Sequence, residues 1–194
     1  YIRKRLQIIR RNPLHGQPIH HSSSIRLTES QKKIVGTINK SFDHKDNASK
    51  VFVLQGVTGS GKTEIYLDAT AHCLSQGKKS VILVPEIILT HQTVQRFVSR
   101  FPGKVAILHS GLTAGERFDQ WWQTKHGDYD IVIGTRSAIF APVSNLGLII
   151  LDEEHEWTYK QHDSDPRYHA RDVALKLAQL TGSTTDRKSP RLNS

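Results

Sequence analysis

Two short runs of this chain carry residue types that can bind and cleave a polyphosphate. The first is Gly56-Val57-Thr58-Gly59-Ser60-Gly61-Lys62-Thr63, which fits G-x-x-x-x-G-K-[ST]. Glycines let the backbone wrap closely, so that several N–H groups point at one anion. Lys62 would reach the β- and γ-phosphates, and the Thr63 hydroxyl would help hold Mg²⁺. The second run is Asp152-Glu153-Glu154-His155. Three adjacent carboxylates after a buried strand repel one another and call for a cation or solvent. The Mg²⁺ of a bound nucleotide supplies that cation. Asp152 fits a metal ligand acting through water, and Glu153 fits the base that activates an attacking water.

Both runs need strands to deliver them. Val51-Phe52-Val53-Leu54 reads as a buried strand ahead of the glycine-rich loop, and Glu64 to Ser75 reads as the helix after it. The positive end of that helix adds to the pull on phosphate. Leu148-Ile149-Ile150-Leu151 is a continuous apolar run, as in a central parallel strand. Further strands are expected at 51–55, 80–84, 104–108, 130–134 and 147–151. Helices are expected at 63–76 and 91–101, and from the capping box Thr113-Ala114-Gly115-Glu116 onward. Strands alternating with helices imply an α/β domain, a mostly parallel sheet with helices on both faces. Ligands then bind at the carboxyl ends of the strands.

Composition narrows the class. A chain of 194 residues suits one α/β domain and a short appendage. Only 37% is hydrophobic and no apolar run could span a bilayer, so no membrane role is expected. There is no signal-peptide pattern, which makes the cytoplasm the expected compartment. Cys73 stands alone, which excludes a disulfide framework and a multi-cysteine zinc site, and it reads as a small buried residue. Methionine is absent, so the chain reads as a piece of a longer one. The net charge of +9 is concentrated at the ends: residues 1–33 carry eight Lys/Arg against one acid, whereas 34–180 carry sixteen of each sign. Residues 1–24, broken by Pro13, Gly16 and Pro18, read as a linker or the end of a preceding domain, with a nucleic-acid arm as the other reading. The globular unit is expected over 25–180, and 181–194 as a disordered or non-native tail.

Several blocks carry a family resemblance. The glycine-rich loop with Asp152-Glu153-Glu154-His155 resembles the superfamily 2 DExH helicases, which have RecA-like motor domains. Val84-Pro85-Glu86-Ile87-Ile88-Leu89-Thr90, Leu108-His109-Ser110-Gly111-Leu112 and Gly134-Thr135-Arg136-Ser137-Ala138 resemble their next blocks. Together with Tyr159-Lys160-Gln161 and Arg167-Tyr168-His169-Ala170 they resemble the PriA family of replication-restart helicases over about residues 27–180. The resemblance implies the first of two motor lobes. The activity implied is ATP-dependent 3′-to-5′ DNA unwinding at stalled forks. The implied partners are single-stranded and forked DNA, primosomal proteins, single-strand binding protein and the replicative helicase.

Site residues carry over position by position. Gly56 to Thr63 would bind ATP, with Lys62, Asp152 and Glu153 catalytic and His155 coupling the nucleotide and DNA sites. Gln31 matches a glutamine that reads adenine, but Thr28-x-x-Gln31 is also a capping box. Thr90, Thr135 and Arg136 fall in backbone-contacting blocks, although Arg136 could equally pair with a carboxylate. Trp157, Tyr159 and Tyr168 fall in an aromatic-rich segment that senses single-stranded DNA, with packing beneath a loop as the alternative. Of Trp121 and Trp122, one is expected in the core.

There are departures from the family. His91 replaces a usual proline, and the Ser-Ala-Thr block expected after Val173 is absent. The second lobe with its arginine finger, the zinc-binding cysteines and the N-terminal DNA-end-binding domain are missing from this sequence. The piece itself is therefore expected to hydrolyse ATP poorly. The rival readings are another superfamily 2 DNA or RNA translocase, and a P-loop ATPase that does not act on nucleic acid.

Overall fold

The computed structural model describes residues 11, 13, 27–42, 50–57, 59–86, 91–162 and 165–187. In chain order its elements are α1 (Glu29–Lys40), β1 (Val51–Val53), α2 (Lys62–Ser75), β2 (Lys79–Leu83), α3 (His91–Arg100), β3 (Val105–Leu108), α4 (Ala114–His126), β4 (Ile131–Gly134), β5 (Leu146–Leu151), α5 (Ala170–Thr181) and β6 (Thr184–Arg187). Two 3₁₀ turns, Arg136–Phe140 and Trp157–Tyr159, follow β4 and the acidic run.

The strands form one sheet in the order β1-β6-β5-β2-β4-β3, and every pairing is parallel. Parallel strands need crossovers that cover both faces, and the apolar pattern shows the result. Ile82, Ile133, Leu148 and Ile150 join one core with residues of α1, α2 and α3. Their neighbours Val81, Leu83, Val132, Ile149 and Leu151 join a second core with α5 and Tyr159. Strand alternation of side chains thus divides one apolar stretch between two layers. β5 is buried along its whole length, as its composition requires.

Both capping boxes form. In α1 the Gln31 N–H donates to Thr28 Oγ1 and the Thr28 N–H to Gln31 Oε1; in α4 Glu116 and Thr113 make the same exchange. Each satisfies two backbone donors at a helix start.

Three expectations are corrected. The strand at 51–54 is not buried throughout: β1 lies at the sheet edge, with Val51 48% and Val53 57% exposed while Leu54 is buried. An edge strand lacks a neighbour on one side, so a run of valines does not guarantee cover. Second, residues 181–187 are not a structureless tail. Thr181 ends α5, Gly182 turns the chain at φ 67°, and β6 inserts between β1 and β5. A strand held on both sides by ladder hydrogen bonds does not need large apolar side chains, and its β-branched threonines favour extended backbone. Residues 188–194, and most of 1–24, lie outside the described residues. Third, neither Trp121 nor Trp122 is core. α4 turns Gln120 and Thr124 inward instead, and buried Gln120 accepts a hydrogen bond from the Ile107 N–H on edge strand β3 at 3.0 Å. A polar side chain is selected there because the edge leaves a backbone donor to satisfy.

Candidate functional site

The glycine-rich loop joins β1 to α2. Gly59 and Gly61 have φ of 80° and 79°, a left-handed conformation that side-chain-bearing residues avoid. A Cβ on Gly56 would meet Ser60 Oγ, and one on Gly61 would collide with the Gln31 amide. The buried Lys62 ammonium folds into the loop, donating to the carbonyls of Gly56 (2.8 Å) and Val57 (2.6 Å) and to Ser60 Oγ (3.4 Å). An ammonium carries three donors and no acceptor, so this ring of oxygens satisfies it until stronger acceptors replace them. Thr63 lies in the first turn of α2. Thr58 lies outside the described residues.

Gln31 makes the capping box and also reaches the glycine-rich loop. Its Oε1 serves the α1 cap, and its Nε2 donates to the Ser60 carbonyl at 3.0 Å. The side chain therefore fastens α1 to the phosphate loop.

The acidic turn starts where β5 ends. The Asp152 N–H continues the ladder to the Leu83 carbonyl at 2.9 Å. Tyr66, one helical turn after Lys62 on α2, donates its hydroxyl to Asp152 Oδ1 at 3.3 Å. The phosphate loop and the acidic turn therefore converge at the carboxyl edge of one sheet. Glu153 sits at φ 49°, an uncommon position for a non-glycine residue. His155 Nδ1 lies 3.7 Å from Glu153 Oε2, and its Nε2 lies 4.0 Å from Glu156 Oε1. Glu154 is buried, and its charge acts on Tyr159 and His169. Tyr66 was missed at the sequence level, although its spacing from Lys62 on one helix face was a usable signal.

A second cavity of about 310 Å³ opens at the same edge, over the tips of β2, β3 and β4. Thr135, Arg136, Trp157, Tyr159 and Tyr168 all line it. Thr90, grouped with them by sequence, lies outside the described residues. The Arg136 guanidinium donates to the carbonyls of Thr158 (3.1 Å) and Lys160 (2.5 Å), rather than pairing with a carboxylate. Trp157 is 71% exposed. Tyr168 meets Phe140 edge-on at 4.9 Å. Thr135 is buried, with its N–H on the Leu108 carbonyl. The proposed contact residue Tyr159 is corrected: it is 1% exposed, with its hydroxyl 2.6 Å from the Asp152 carbonyl and 3.0 Å from that of Leu83. Burial, and then the nearby Asp152 charge, pushes its phenol pKa up. Its ring offers no face to a base, and it acts as a plug tying the aromatic turn to the acidic one. Sequence also passed over Ser110, whose hydroxyl donates to Glu86 Oε1 at 2.8 Å on the cavity wall.

The DEAD/DEAH box helicase family model matches residues 28–189. The chain is 47% identical to the replication restart protein PriA of Bacillus subtilis, aligned over 87% of this chain and 21% of that protein. It is 48% identical to the protein of the same name from Haemophilus influenzae, over 91% of this chain and 25% of that protein. The chain thus spans about a fifth to a quarter of the length of these relatives. Among solved structures it is similar to RecG bound to a three-way DNA junction, with a TM-score of 0.61 and 27% identity, covering 84% of this chain and 21% of that one. The Hef helicase domain of Pyrococcus furiosus shares the fold, with a TM-score of 0.56 and 17% identity over 85% of this chain and 33% of that one.

Proposed function

The chain belongs to the DEAD/DEAH box helicase family, and we propose that it is the first motor lobe of an ATP-dependent 3′-to-5′ DNA helicase acting in replication restart. The observation that carries this reading is the Tyr66–Asp152 bond, which joins the helix after the phosphate loop to the acidic turn. The relatives' shared name, replication restart protein, supports the biological setting.

The residues present fit a nucleoside triphosphate with a divalent ion. Gly56 and Gly61 sit where a Cβ would strike Ser60 and Gln31, so the loop backbone can stay closely wound, and Lys62 already rests on oxygen acceptors that phosphate can replace. Lys62 would pair with the β- and γ-phosphates, while Thr63 and Asp152 would hold Mg²⁺. When bound, the ion neutralises charge developing on the transferred phosphoryl group. Glu153 would orient a water and take its proton, and His155, within reach of Glu153, would pass the state of the site onward. Gln31 would read adenine by exchanging its present bonds.

DNA would lie over the second cavity, with Arg136 on phosphate and Trp157 and Tyr168 beneath bases. The implied partners are forked and single-stranded DNA, primosomal proteins, single-strand binding protein and a replicative helicase, and the setting is the cytoplasm. Among the described residues no helix is long and apolar enough to cross a membrane.

The test is ATP hydrolysis by the longer protein that carries this lobe, with and without single-stranded DNA. Stimulation by DNA, abolished by Lys62→Ala, is expected. Turnover indifferent to DNA would favour a P-loop ATPase that does not act on nucleic acid. The 194-residue chain alone should bind nucleotide and turn it over slowly, and brisk turnover would contradict a half-site.

A further inference from the structure

Beside the cavity of Arg136 and Trp157 lies a second hollow of about 410 Å³, between α4 and the 3₁₀ turn after β4. Its walls include His109, Ser110, Arg117, Trp121, Ser137 and Phe140. Ser110 and Ser137 also line the cavity of Arg136 and Trp157, so the two hollows share a rim. None of the sequence motifs assigned a role to Trp121, Arg117 or Phe140.

The chemistry of this hollow is specific. Trp121 and Phe140 come from different elements and remain 38% and 55% exposed, although Phe140 meets Tyr168 and Trp121 meets Trp122 at their rings. Arg117 donates to the carbonyls of Ser110 (3.3 Å) and Leu112 (3.4 Å). Those acceptors are neutral, so they fix the guanidinium without cancelling its charge. Arg136, across the shared rim, is held the same way. Lys125 lies 5.4 Å from the Trp121 ring centre and adds positive charge nearby. The Gly111 N–H donates to His109 Nδ1 at 3.1 Å, which leaves the ring proton of the neutral imidazole on Nε2 as a donor.

We infer that this hollow is a base-stacking subsite for single-stranded nucleic acid, holding one nucleobase against Trp121 and Phe140 while Arg117 and Arg136 flank its backbone. The inference rests on the nucleic-acid reading of the adjoining cavity, and it extends the strand's path away from the acidic turn. Aromatic faces with fixed cations suit a strand that must be held without regard to sequence. A protein side chain would also fill an aromatic hollow, but two carbonyl-anchored guanidiniums along one rim match a polyanion better.

The experiment measures the affinity of the chain for a labelled oligothymidine by fluorescence anisotropy at one fixed, low salt concentration. Trp121→Ala should weaken binding about tenfold, and Trp121→Phe should restore most of it, since a ring remains to stack on. Trp122→Ala is the control, because Trp122 is exposed on the same helix but does not line the hollow. It should bind as the wild type does. Arg136→Ala reports on the adjoining cavity. If Arg136→Ala weakens binding and Trp121→Ala does not, the subsite is refuted while the parent reading stands, and the hollow is left to a protein partner. If the two tryptophan variants fall equally, the effect belongs to the helix surface and the subsite is likewise refuted. If the wild-type chain does not bind the oligonucleotide, the parent reading fails and takes this inference with it.

Discussion

The phosphate loop and the aromatic cleft occupy the same carboxyl edge of one parallel sheet, yet they are assembled differently. The phosphate side comes from two contiguous stretches, each following a single strand: Gly56–Thr63 after β1 and Asp152–His155 after β5. The cleft draws its lining from the ends of β2, β3 and β4 and from the segment after the acidic turn. Backbone amides do the binding in a phosphate loop, so its geometry is local and its glycines are obligatory. A cleft that grips a strand works through side-chain faces, and whether a face is open is a tertiary property. Trp157 and Tyr159 make the contrast plain: they are two residues apart in one 3₁₀ turn, and one is 71% exposed while the other is 1% exposed.

The largest effect should come from the phosphate side. On the proposed reading, Glu153→Gln in the longer protein should lower the ATPase kcat by about 10³-fold and spare nucleotide binding. Retained unwinding would remove Glu153 from its role. Next, Tyr159 and Trp157 should separate stability from grip. Tyr159→Phe removes the hydroxyl donor from the Asp152 carbonyl, while the Leu83 carbonyl keeps the Asp152 N–H, and should cost about 1–2 kcal/mol, read as a fall in Tm. Trp157→Ala should stay within about 0.5 kcal/mol in the same melt, yet weaken oligonucleotide binding. Equal behaviour of the two variants would break the distinction drawn here.

Tyr66→Phe should be milder, lowering kcat about fivefold while KM for ATP holds, because it loosens Asp152 without touching the phosphate loop. A matching loss of nucleotide affinity would instead make Tyr66 a purely structural contact.

The smallest effect is pH dependence, and it belongs to the cleft side. Burial, the leading cause in each case, holds the pKa values of His109 and His169 below the ordinary 6.5. As pH falls through that value the unfolded chain takes up protons that the folded chain refuses. Their stabilising contribution is therefore complete above about pH 6.5 and declines below it. His169 Nδ1 accepts the Arg171 N–H at the start of α5, so protonation also removes a cap. Tm should fall modestly between pH 7.5 and 5.5, and His169→Asn, which keeps a capping oxygen, should flatten the slope. A melt independent of pH in this window would contradict the assignment.

Much of the lobe was legible before any coordinates. The strand positions, both capping boxes and the placing of the glycine-rich and acidic runs at strand ends follow from periodicities of two and 3.6 and from short-range chemistry. Three of the corrections turn on which strands are neighbours. The apolar run 51–54 predicts a buried strand, but β1 has a partner on one side only. Residues 181–194 carry one large apolar residue and no periodicity, which predicts a tail, yet β6 pairs with both β1 and β5. The tryptophans of α4 were misassigned because edge strand β3 needed Gln120 more than an indole.

The order of residues alone determined a glycine-rich turn between a strand and a helix and an acid run after a buried strand, because these are short-range features whose geometry is carried by the backbone. Only the folded sheet decided that Tyr66 would reach Asp152, that Tyr159 would plug the space beneath the acidic turn, and that Trp121 and Phe140 would line one hollow. Those outcomes depend on which strands end up neighbours and on which helix face is turned inward. Such choices are settled by long-range packing, and no local pattern encodes them.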